Sequence, residues 1–387
     1  MGRINTALRL APRGSQSPVA TAPGMQHAPD TISISESAFI TSALTSGGLR
    51  VDGRRALEPR PLSITFGAQV GSVTVQLGKT KVLAVASAEL VEPYPDRPAE
   101  GVLQFFAELS PMASPAFEPG RPPEAAVEIM RLLDRVMRKS QAVDIESLCI
   151  VAGKSVWSVR CDVTVLDCCG NMTDAALFAA LMALKHLRLP PLKMVGVGDE
   201  ATVSVLPFNE GICTPLTFHH TPVAVSMGFF KPNDGSQLLA VIDPTDREEV
   251  VMQGLVTVVL NQHQELCALH KPGGLPIAGT QLFECIKHAA AVAPQRLLTL
   301  ESMLQEHALQ LAAEAETLRR TGRAEKRKQV VADAPLVAVS PAAVASVPAS
   351  AGKDAGVSGV PSAQGLVSST MKRGRSDSPA QQLSSPK

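Results

Sequence analysis

The stretch LSITFGAQVGSVTVQLGKTKVLAV, which runs from Leu62 to Val85, indicates the fold class of this chain. Apolar residues alternate with polar ones at Ile64 and Phe66 and again from Val73 to Leu77. Alternation with a period of two residues is typical of strands that bury one face, and the glycines between the runs mark turns. The stretch therefore predicts a β-hairpin or a meander of antiparallel strands.

Strands and helices are mixed along the rest of the chain. The patterns predict strands over about 147–152, 156–166, 201–206, 223–230 and 238–242, a hairpin over about 255–270, and helices over about 122–140, 174–187 and 278–292. Asp174 or Thr173 is the expected N-cap of the second helix. A last helix from Pro294 carries leucines every seven residues, at 297, 304, 311 and 318. This mixture predicts an α+β class with helices packed on mixed sheets.

The two ends of the chain differ in composition from the middle. Ala, Ser, Pro and Gly dominate both ends and large apolar residues are sparse there, which predicts a disordered leader over 1–48 and a disordered tail over 329–387. Between them we predict a domain over 49–293, with halves of about 49–190 and 191–293, and an amphipathic, basic helix over 294–328.

Charge and cysteine content exclude several function classes. The formal net charge is zero, so a site for a polyanion must be a local basic patch. The seven cysteines have neither the spacing of a zinc site nor that of a secreted disulfide framework, so we expect no metal site. No apolar run approaches ~18 residues, and we expect no membrane partner and no cofactor.

Several short motifs resemble the RNase PH family, and in particular the ring subunits of the eukaryotic RNA exosome. They are LRVDGR at Leu49–Arg54, LGKTKVL at Leu77–Leu83, LSPMA at Leu109–Ala113, AFEPGR at Ala116–Arg121, ESLC at Glu146–Cys149 before Val151–Gly153, and Asp243-Pro244 with Arg247–Glu249. The resemblance covers about 245 residues in the right order and implies an RNase PH-like fold, similar to domain 2 of ribosomal protein S5.

This resemblance implies an RNA function and also a missing group. The family releases nucleoside diphosphates from RNA 3′ ends by attack of phosphate, which needs cationic groups because two anions must meet. Active members place an arginine in a small-residue loop at a helix N-terminus. The matching loop here, Asp167–Asp174, contains two acids and no arginine. We therefore predict a non-catalytic ring subunit, with other ring subunits, cap subunits and single-stranded RNA as partners, in the nucleus, the nucleolus and the cytoplasm.

Asp243 and Glu249 are vestigial catalytic candidates by the same resemblance, because active members carry two acids at this spacing. The alternative interpretation is that Asp243 begins a turn before Pro244 and that both acids pair with Arg247. An acid without bound phosphate has nothing to activate.

Four arginines are the candidate RNA contacts. The resemblance implies Arg97, in a loop, and Arg121, after Pro119-Gly120, with Arg131 and Arg135 on one face of a helix. The alternatives are an exposed loop charge for Arg97 and an ion pair with Glu118 or Glu124 for Arg121. For the helix the alternative is a solvated face on which Glu128 pairs with Arg131 and Asp134 pairs with Arg138.

Two other functions stay open. An active phosphate-dependent 3′-to-5′ exoribonuclease would need an arginine from elsewhere to complete the loop. A small-molecule phosphotransferase would need a glycine-rich phosphate loop, and Gly78-Lys79-Thr80 has Val73 where that motif requires glycine.

Overall fold

Two β-sheets and the helices packed on them form the ordered part of the chain. The computed structural model describes residues 32–118, 120, 122–195, 202–207, 211–231 and 238–332. The predicted disorder of 1–31 and 333–387 lies outside these residues, whereas the predicted tail over 329–387 was wrong for residues 329–332, which are helical.

The first sheet contains the predicted meander. Its strands are β1 (Leu62–Phe66), β2 (Ser72–Leu77), β3 (Thr80–Val91), β4 (Val102–Leu109), β5 (Cys149–Val151) and β6 (Ser155–Asp167). The order is β1-β2-β3-β6-β4, with β5 on β6, and every pair is antiparallel except the parallel pair β4–β6. The meander prediction is confirmed, whereas β4 was not predicted.

Helix α3 (Met172–His186) packs on this sheet and is buried on all sides. It contacts β2, β3 and β6, and also the second sheet. Because Ala175, Ala176, Ala179 and Ala180 are fully buried, the helix backbone can approach the strands closely. A helix that is apolar all round belongs in a core, and this one connects both halves of the domain.

The second sheet is antiparallel and has the order β12-β11-β13-β14. Its strands are β11 (Val223–Phe230), β12 (Leu239–Ile242), β13 (Gly254–Leu260) and β14 (Leu266–His270). All residues of β11 and β13 are buried, which explains their nearly continuous apolar sequence. Two short antiparallel pairs complete the strands, formed by β7 (Arg188–Leu189) with β10 (Thr214–Pro215) and by β8 (Leu192–Val195) with β9 (Thr202–Val205).

The other helices are α1 (Ile34–Ser42), α2 (Glu124–Leu133), α4 (Asp246–Val251) and α5 (Gly279–Ala332). A π-helical turn continues α2 over Asp134–Lys139, and another follows α1 over Ala43–Gly47. The predicted helix over 122–140 is thus present in two parts. In the part of the chain that is described, no helix is long and apolar enough to cross a membrane.

The predicted leader over 1–48 was wrong for residues 34–47, which are helical. Ser33 caps α1, since its hydroxyl accepts a hydrogen bond from the Glu36 N–H. Ile40 and Leu44 are buried against Phe230 and Val241. This small cluster orders a segment whose local composition is poor in large apolar residues.

The predicted division at Pro294 is not seen, because α5 runs through it. Ala293 and Leu300 are buried, and Leu297 and Leu304 pack against the same core. Packing of this face compensates for the hydrogen bond that a proline inside a helix removes.

Candidate functional site

Three acids meet where α3, β12 and α4 begin or end, and Asn171 joins them. The Asn171 amide nitrogen Nδ2 donates to Asp174 Oδ2 at 2.9 Å and to Asp243 Oδ1 at 2.7 Å. The Asn171 backbone N–H donates to Glu249 Oε1 at 2.7 Å. Asn171 has φ of 51° and Asp243 has φ of 54°, a left-handed conformation that Asn and Asp tolerate better than most residues. The structure therefore brings together the two predicted vestigial acids and adds a third, Asp174.

Arg60 fills the centre of this acid cluster. Its backbone N–H and its Nε donate to Asp243 Oδ2 at 2.8 and 3.0 Å, and its Nη2 donates to Asp243 Oδ1 at 2.7 Å. The same guanidinium donates to the carbonyls of Cys169 and Gly170, in the loop where active relatives are expected to carry an arginine. Arg60 is buried, so this is a two-pronged ion pair shielded from water.

The pKa values of the acids reflect this arrangement. Burial by itself would raise the pKa of Asp243, but hydrogen bonds and charge attraction from Arg60, with a further bond from Asn171, outweigh it and leave the pKa lowered. Burial raises the pKa of Asp174 and the nearby Asp243 charge adds to it, against hydrogen bonds from Ser226 and Asn171. The two carboxyls thus differ in the direction of their shifts because only Asp243 has a cation in contact.

The Asp52-Gly53-Arg54 motif wraps the backbone on which Asp243 sits. Arg50 is buried, forms an ion pair with Glu248, and donates to the carbonyls of Ile242 and Asp243. Arg54 bonds Asp52 and donates to the Asp243 carbonyl at 3.3 Å. From α5, Arg296 Nη2 donates to the Arg60 carbonyl at 2.6 Å.

Two sequence predictions about this region were wrong. Arg247 does not pair with the acids, since it is half exposed and its guanidinium lies 3.9 Å from Glu36. The N-cap of α3 is Asn171 instead of Asp174 or Thr173, because its Oδ1 accepts the Asp174 N–H. Neither Arg60 nor Asn171 was recognised from the sequence.

The candidate RNA contacts lie elsewhere on the surface. Arg97 is exposed in the loop after β3 and pairs with Glu100 at 3.1 Å. Arg131 and Arg135 are exposed on α2 and its π-helical turn, and Arg135 Nη1 lies 3.5 Å from the Leu269 carbonyl. Arg121 lies outside the described residues.

A groove of about 710 Å³ adjoins Arg97. We call it the Tyr94 groove. Its walls are the loop 94–100, the end of the π-helical turn with the loop up to residue 146, and His219. Arg138 and Lys139 line it, whereas Arg131 and Arg135 do not. In the described parts of the chain, no three His, Cys, Asp or Glu side chains are arranged to hold a metal ion.

Two family descriptions match the chain. Residues 58–190 match domain 1 of the 3′ exoribonuclease family, RNase PH, and residues 220–292 match its domain 2. The chain belongs to the RNase PH family. The resemblance found in the motifs is therefore confirmed, and so is the α+β, RNase PH-like fold.

Within the RNase PH family, several similar curated proteins carry the name exosome complex component RRP45. The Arabidopsis thaliana RRP45A is 48% identical over 260 residues, which are 67% of this chain and 83% of that protein. The Schizosaccharomyces pombe rrp45 is 38% identical over 71% of this chain and 91% of that protein. The Bos taurus RRP45 is 44% identical over 62% of this chain, but the chain spans only 53% of its length.

A solved structure with the RNase PH fold is also similar to this chain. It is described as an Archaeoglobus fulgidus exosome with RNA bound to the active site, and one of its chains is 31% identical with a TM-score of 0.59. The match covers 68% of this chain and 96% of that chain.

Proposed function

We propose that this chain is a non-catalytic ring subunit of an RNA exosome, which holds its neighbours in a six-membered ring and guides single-stranded RNA through the pore. The observation that carries the proposal is the Arg60–Asp243 pair. An RNase PH member that cleaves RNA needs a cation that binds phosphate and an acid that is free to accept or donate a proton. In this chain the cation and the acid bind each other, so neither is available to the substrate.

The carboxylate oxygens of Asp243 are occupied by donors from inside the chain. Oδ1 accepts from Arg60 and Asn171, and Oδ2 accepts from two nitrogens of Arg60. A carboxylate with a lowered pKa and a buried cation against it is a poor proton acceptor near neutral pH.

The loop after β6 also has the wrong polarity for an anion. Its Cys169 and Gly170 carbonyls point at the Arg60 guanidinium, so the cation is bound by the loop and by Asp243 together. A helix N-terminus binds phosphate through free N–H donors and the positive end of the helix dipole, and active family members are expected to add an arginine there. Here the Cys169 N–H donates to the Thr80 hydroxyl and the Asn171 N–H donates to Glu249, so both donors are already in use.

The partners follow from the relatives' names and from the exposed arginines. RRP45 proteins are named as exosome complex components, which supports other RNase PH-like ring subunits and cap subunits as neighbours. Arg97 is accessible to a phosphate, as are Arg131 and Arg135, and Arg121 remains a candidate from its motif. We place the protein in the nucleus, including the nucleolus, and in the cytoplasm.

A phosphorolysis assay tests the catalytic part. The full-length chain, alone and in a reconstituted ring, is incubated with inorganic phosphate and a 3′ single-stranded RNA, and nucleoside diphosphates are measured. We expect none that depends on this subunit. Robust release of nucleoside diphosphates that is abolished by Asp243→Ala would establish the alternative, an active exoribonuclease. The observation that favours this alternative is the proximity of Asp174, Asp243 and Glu249.

RNA crosslinking in the assembled ring tests the guiding part. We expect the double variant Arg97→Ala and Arg121→Ala to weaken RNA binding and to lower the slope of affinity against salt by about one for each phosphate that the variant no longer binds. Arg247→Ala, another exposed and ion-paired arginine, is the matched control. Unchanged crosslinking in the double variant would remove these two arginines from the RNA path.

A further inference from the structure

We propose that Cys267 and His220 together bind one soft, thiophilic metal ion, Cu(I), through the Cys267 sulfur and the His220 ring nitrogen Nδ1. This site goes beyond the proposed RNA function and does not depend on it. The cysteine spacing in the sequence predicted no metal site, and it could not reveal this pair because the two residues lie 47 positions apart.

The two ligand atoms face each other across a gap that one ion can bridge. Cys267 Sγ lies 3.9 Å from His220 Nδ1, which is long for a hydrogen bond. Metal–sulfur bonds of ~2.3 Å and metal–nitrogen bonds of ~2.1 Å place the two ligand atoms about 3.6 Å apart at the tetrahedral angle and about 4.4 Å apart in a straight line. The observed separation falls between these limits, so both atoms can bind the same ion without a large movement.

The tautomer of His220 makes Nδ1 available as a ligand. Nε2 lies 2.9 Å from the Ser140 carbonyl oxygen, which can only accept a hydrogen bond, so Nε2 carries the proton. In the neutral imidazole Nδ1 then carries the lone pair, and Nδ1 is the atom that faces Cys267. Histidines that bind metals almost always donate their other ring N–H to a carbonyl, a carboxylate or water.

The backbone holds both ligands in place before an ion binds. The His219 N–H, one residue before His220, donates to the Ala142 carbonyl. Cys267 lies inside β14, whose flanking residues pair with β13. Both side chains are half-buried, so an ion can reach them from solvent while part of the site is shielded from water.

The ligand set selects the type of ion. Thiolates favour soft ions such as Cu(I) and zinc, and imidazole binds both copper and zinc. A zinc site has three or four protein ligands, and within the described ranges no three such side chains meet. A thiolate and a neutral imidazole carry one negative charge, which a monovalent ion balances, whereas a divalent ion would leave a net charge in a half-buried place. The pair therefore fits Cu(I).

A reactive cysteine is the other function that a Cys–His pair suggests. Burial raises the pKa of the Cys267 thiol to about 11, and the Glu265 charge adds to the rise. A nucleophilic cysteine needs a lowered pKa, because the thiolate is the attacking species. A bound metal ion, in contrast, deprotonates a coordinating thiol outright, so the same thiol can still act as a ligand.

Competition with the Cu(I) chelator bicinchoninate tests the site. The reduced, full-length chain is titrated into the coloured Cu(I)–bicinchoninate complex without oxygen, and the loss of absorbance measures the Cu(I) transferred. We expect the native chain to withdraw one Cu(I) with high affinity. Cys267→Ser and His220→Ala should each weaken this binding at least roughly tenfold, the least that the loss of even an outer-shell partner costs.

Cys149→Ser and His263→Ala are the matched controls. Cys149 is another half-buried cysteine, and His263 is another histidine of the second half of the domain. Both variants should keep the native affinity for Cu(I). X-ray absorption of the Cu(I)-loaded native chain should show one sulfur and one nitrogen bonded to copper.

Three results would overturn this metal site. Failure of the native chain to withdraw Cu(I) would mean that the two atoms form no binding site. Native affinity in Cys267→Ser would mean that other cysteines hold the ion. A loss in Cys267→Ser without a loss in His220→Ala would show binding to a single thiol. Urea denaturation without metal checks the fold of each variant, and Cys267→Ala or His220→Gln replaces one that does not fold.

Discussion

At the scale of single residues, Arg60 decides what the acid cluster can do. Its guanidinium and backbone bind Asp243, its two Nη atoms bind the loop after β6, and Arg296 holds its carbonyl. The sequence did not reveal this role, because Arg60 stands outside the recognised motifs and its partner lies 183 residues away. A motif comparison detects a missing arginine in one loop but cannot detect a replacement that arrives from another segment.

Removal of the Arg60 cation should destabilise the fold. Arg60→Met keeps an unbranched apolar stem but leaves the buried Asp243 carboxylate without its main partner. Breaking a buried ion pair on one side costs about 3–5 kcal/mol in the free energy of unfolding. Urea denaturation measures it, with Arg97→Ala, an exposed arginine, as the control. A loss below about 1 kcal/mol would show that the pair does not hold the cluster together, and adding Asp243→Asn should restore part of the loss.

A fall in pH should reduce the contribution of Asp243 to the free energy of unfolding and increase that of Asp174. The pKa of Asp243 is lowered in the folded chain, so its stabilisation is complete above its unfolded value of about 3.9 and is lost as pH falls through the folded value. The pKa of Asp174 is raised, so stability increases as pH falls through that raised value. We expect the native chain to lose its stability advantage over Asp243→Asn as pH falls below the unfolded pKa of about 3.9, by up to about 1.4 kcal/mol per pH unit.

The comparison with Asp174→Asn provides the sign control for this pH dependence. As pH falls, the free energy of unfolding of the native chain should increase relative to that of Asp174→Asn, whereas it should decrease relative to that of Asp243→Asn. Unfolding free energies from urea curves at several pH values measure both. Parallel curves for the native chain and Asp243→Asn would contradict the lowered pKa.

At the scale of elements, α5 divides into a part that packs on the domain and a part that is exposed. Its first part packs on the domain through Leu297, Leu300 and Leu304, and His307 stacks on Phe66 with ring centroids 4.0 Å apart. Leu309 and Leu311 are exposed. The leucine repeat in the sequence predicted one apolar stripe, and the structure divides it into a covered part and an open part.

Two leucines two positions apart on α5 should differ sharply in their effect on stability. Leu300 is 1% exposed and Leu298 is 67% exposed. Leu300→Ala removes buried methyl groups and leaves a cavity, which costs about 2–5 kcal/mol. Leu298→Ala should change the free energy of unfolding by no more than about 0.5 kcal/mol. Urea denaturation of the pair measures both, and similar losses would mean that α5 does not dock as the structure shows.

Some of these elements could be predicted from the sequence and others could not. The strands of the meander, β6, β11 and β13 were predicted, because a buried face imposes a local period or an apolar run. Helices α1 and α4 were missed because they are short and pack against partners far away in the sequence: α1 on Phe230 and Val241, and α4 on Arg50. The Thr245–Glu248 capping box of α4 is a local signal that was not recognised in the sequence. The resemblance to active family members identified Asp243 and Glu249, but it did not identify Arg60 and Asn171, which donate hydrogen bonds to them.

At the scale of the whole molecule, the two halves of the domain are joined by charge and by packing. Arg50, Arg54 and Arg60 come from the first half and bind the segment around Asp243 in the second. Helix α3 contacts both sheets. The exposed part of α5 and the Tyr94 groove take no part in these contacts between the halves, so both surfaces are available to other molecules.

The exposed part of α5 should contribute to assembly instead of folding. A chain that ends at residue 308 keeps Leu300, Leu304 and the His307–Phe66 contact, so its free energy of unfolding should stay within about 1 kcal/mol of the native value. If Leu309 and Leu311 meet a ring neighbour, burial of these side chains contributes about 1.5–3 kcal/mol each, and their removal lowers retention in the ring. Native mass spectrometry of tagged chains purified with their partners counts the subunits retained.

A chain that ends at residue 332 serves as the control for this truncation. It removes only the residues after α5 and should retain the ring as the full chain does. The double variant Leu309→Ser and Leu311→Ser tests the same surface without shortening the helix, and we expect it to lower retention as the truncation does. Full retention by both the 308 chain and the double variant would contradict a docking role, because the open part of the leucine stripe would then have no partner in the assembly.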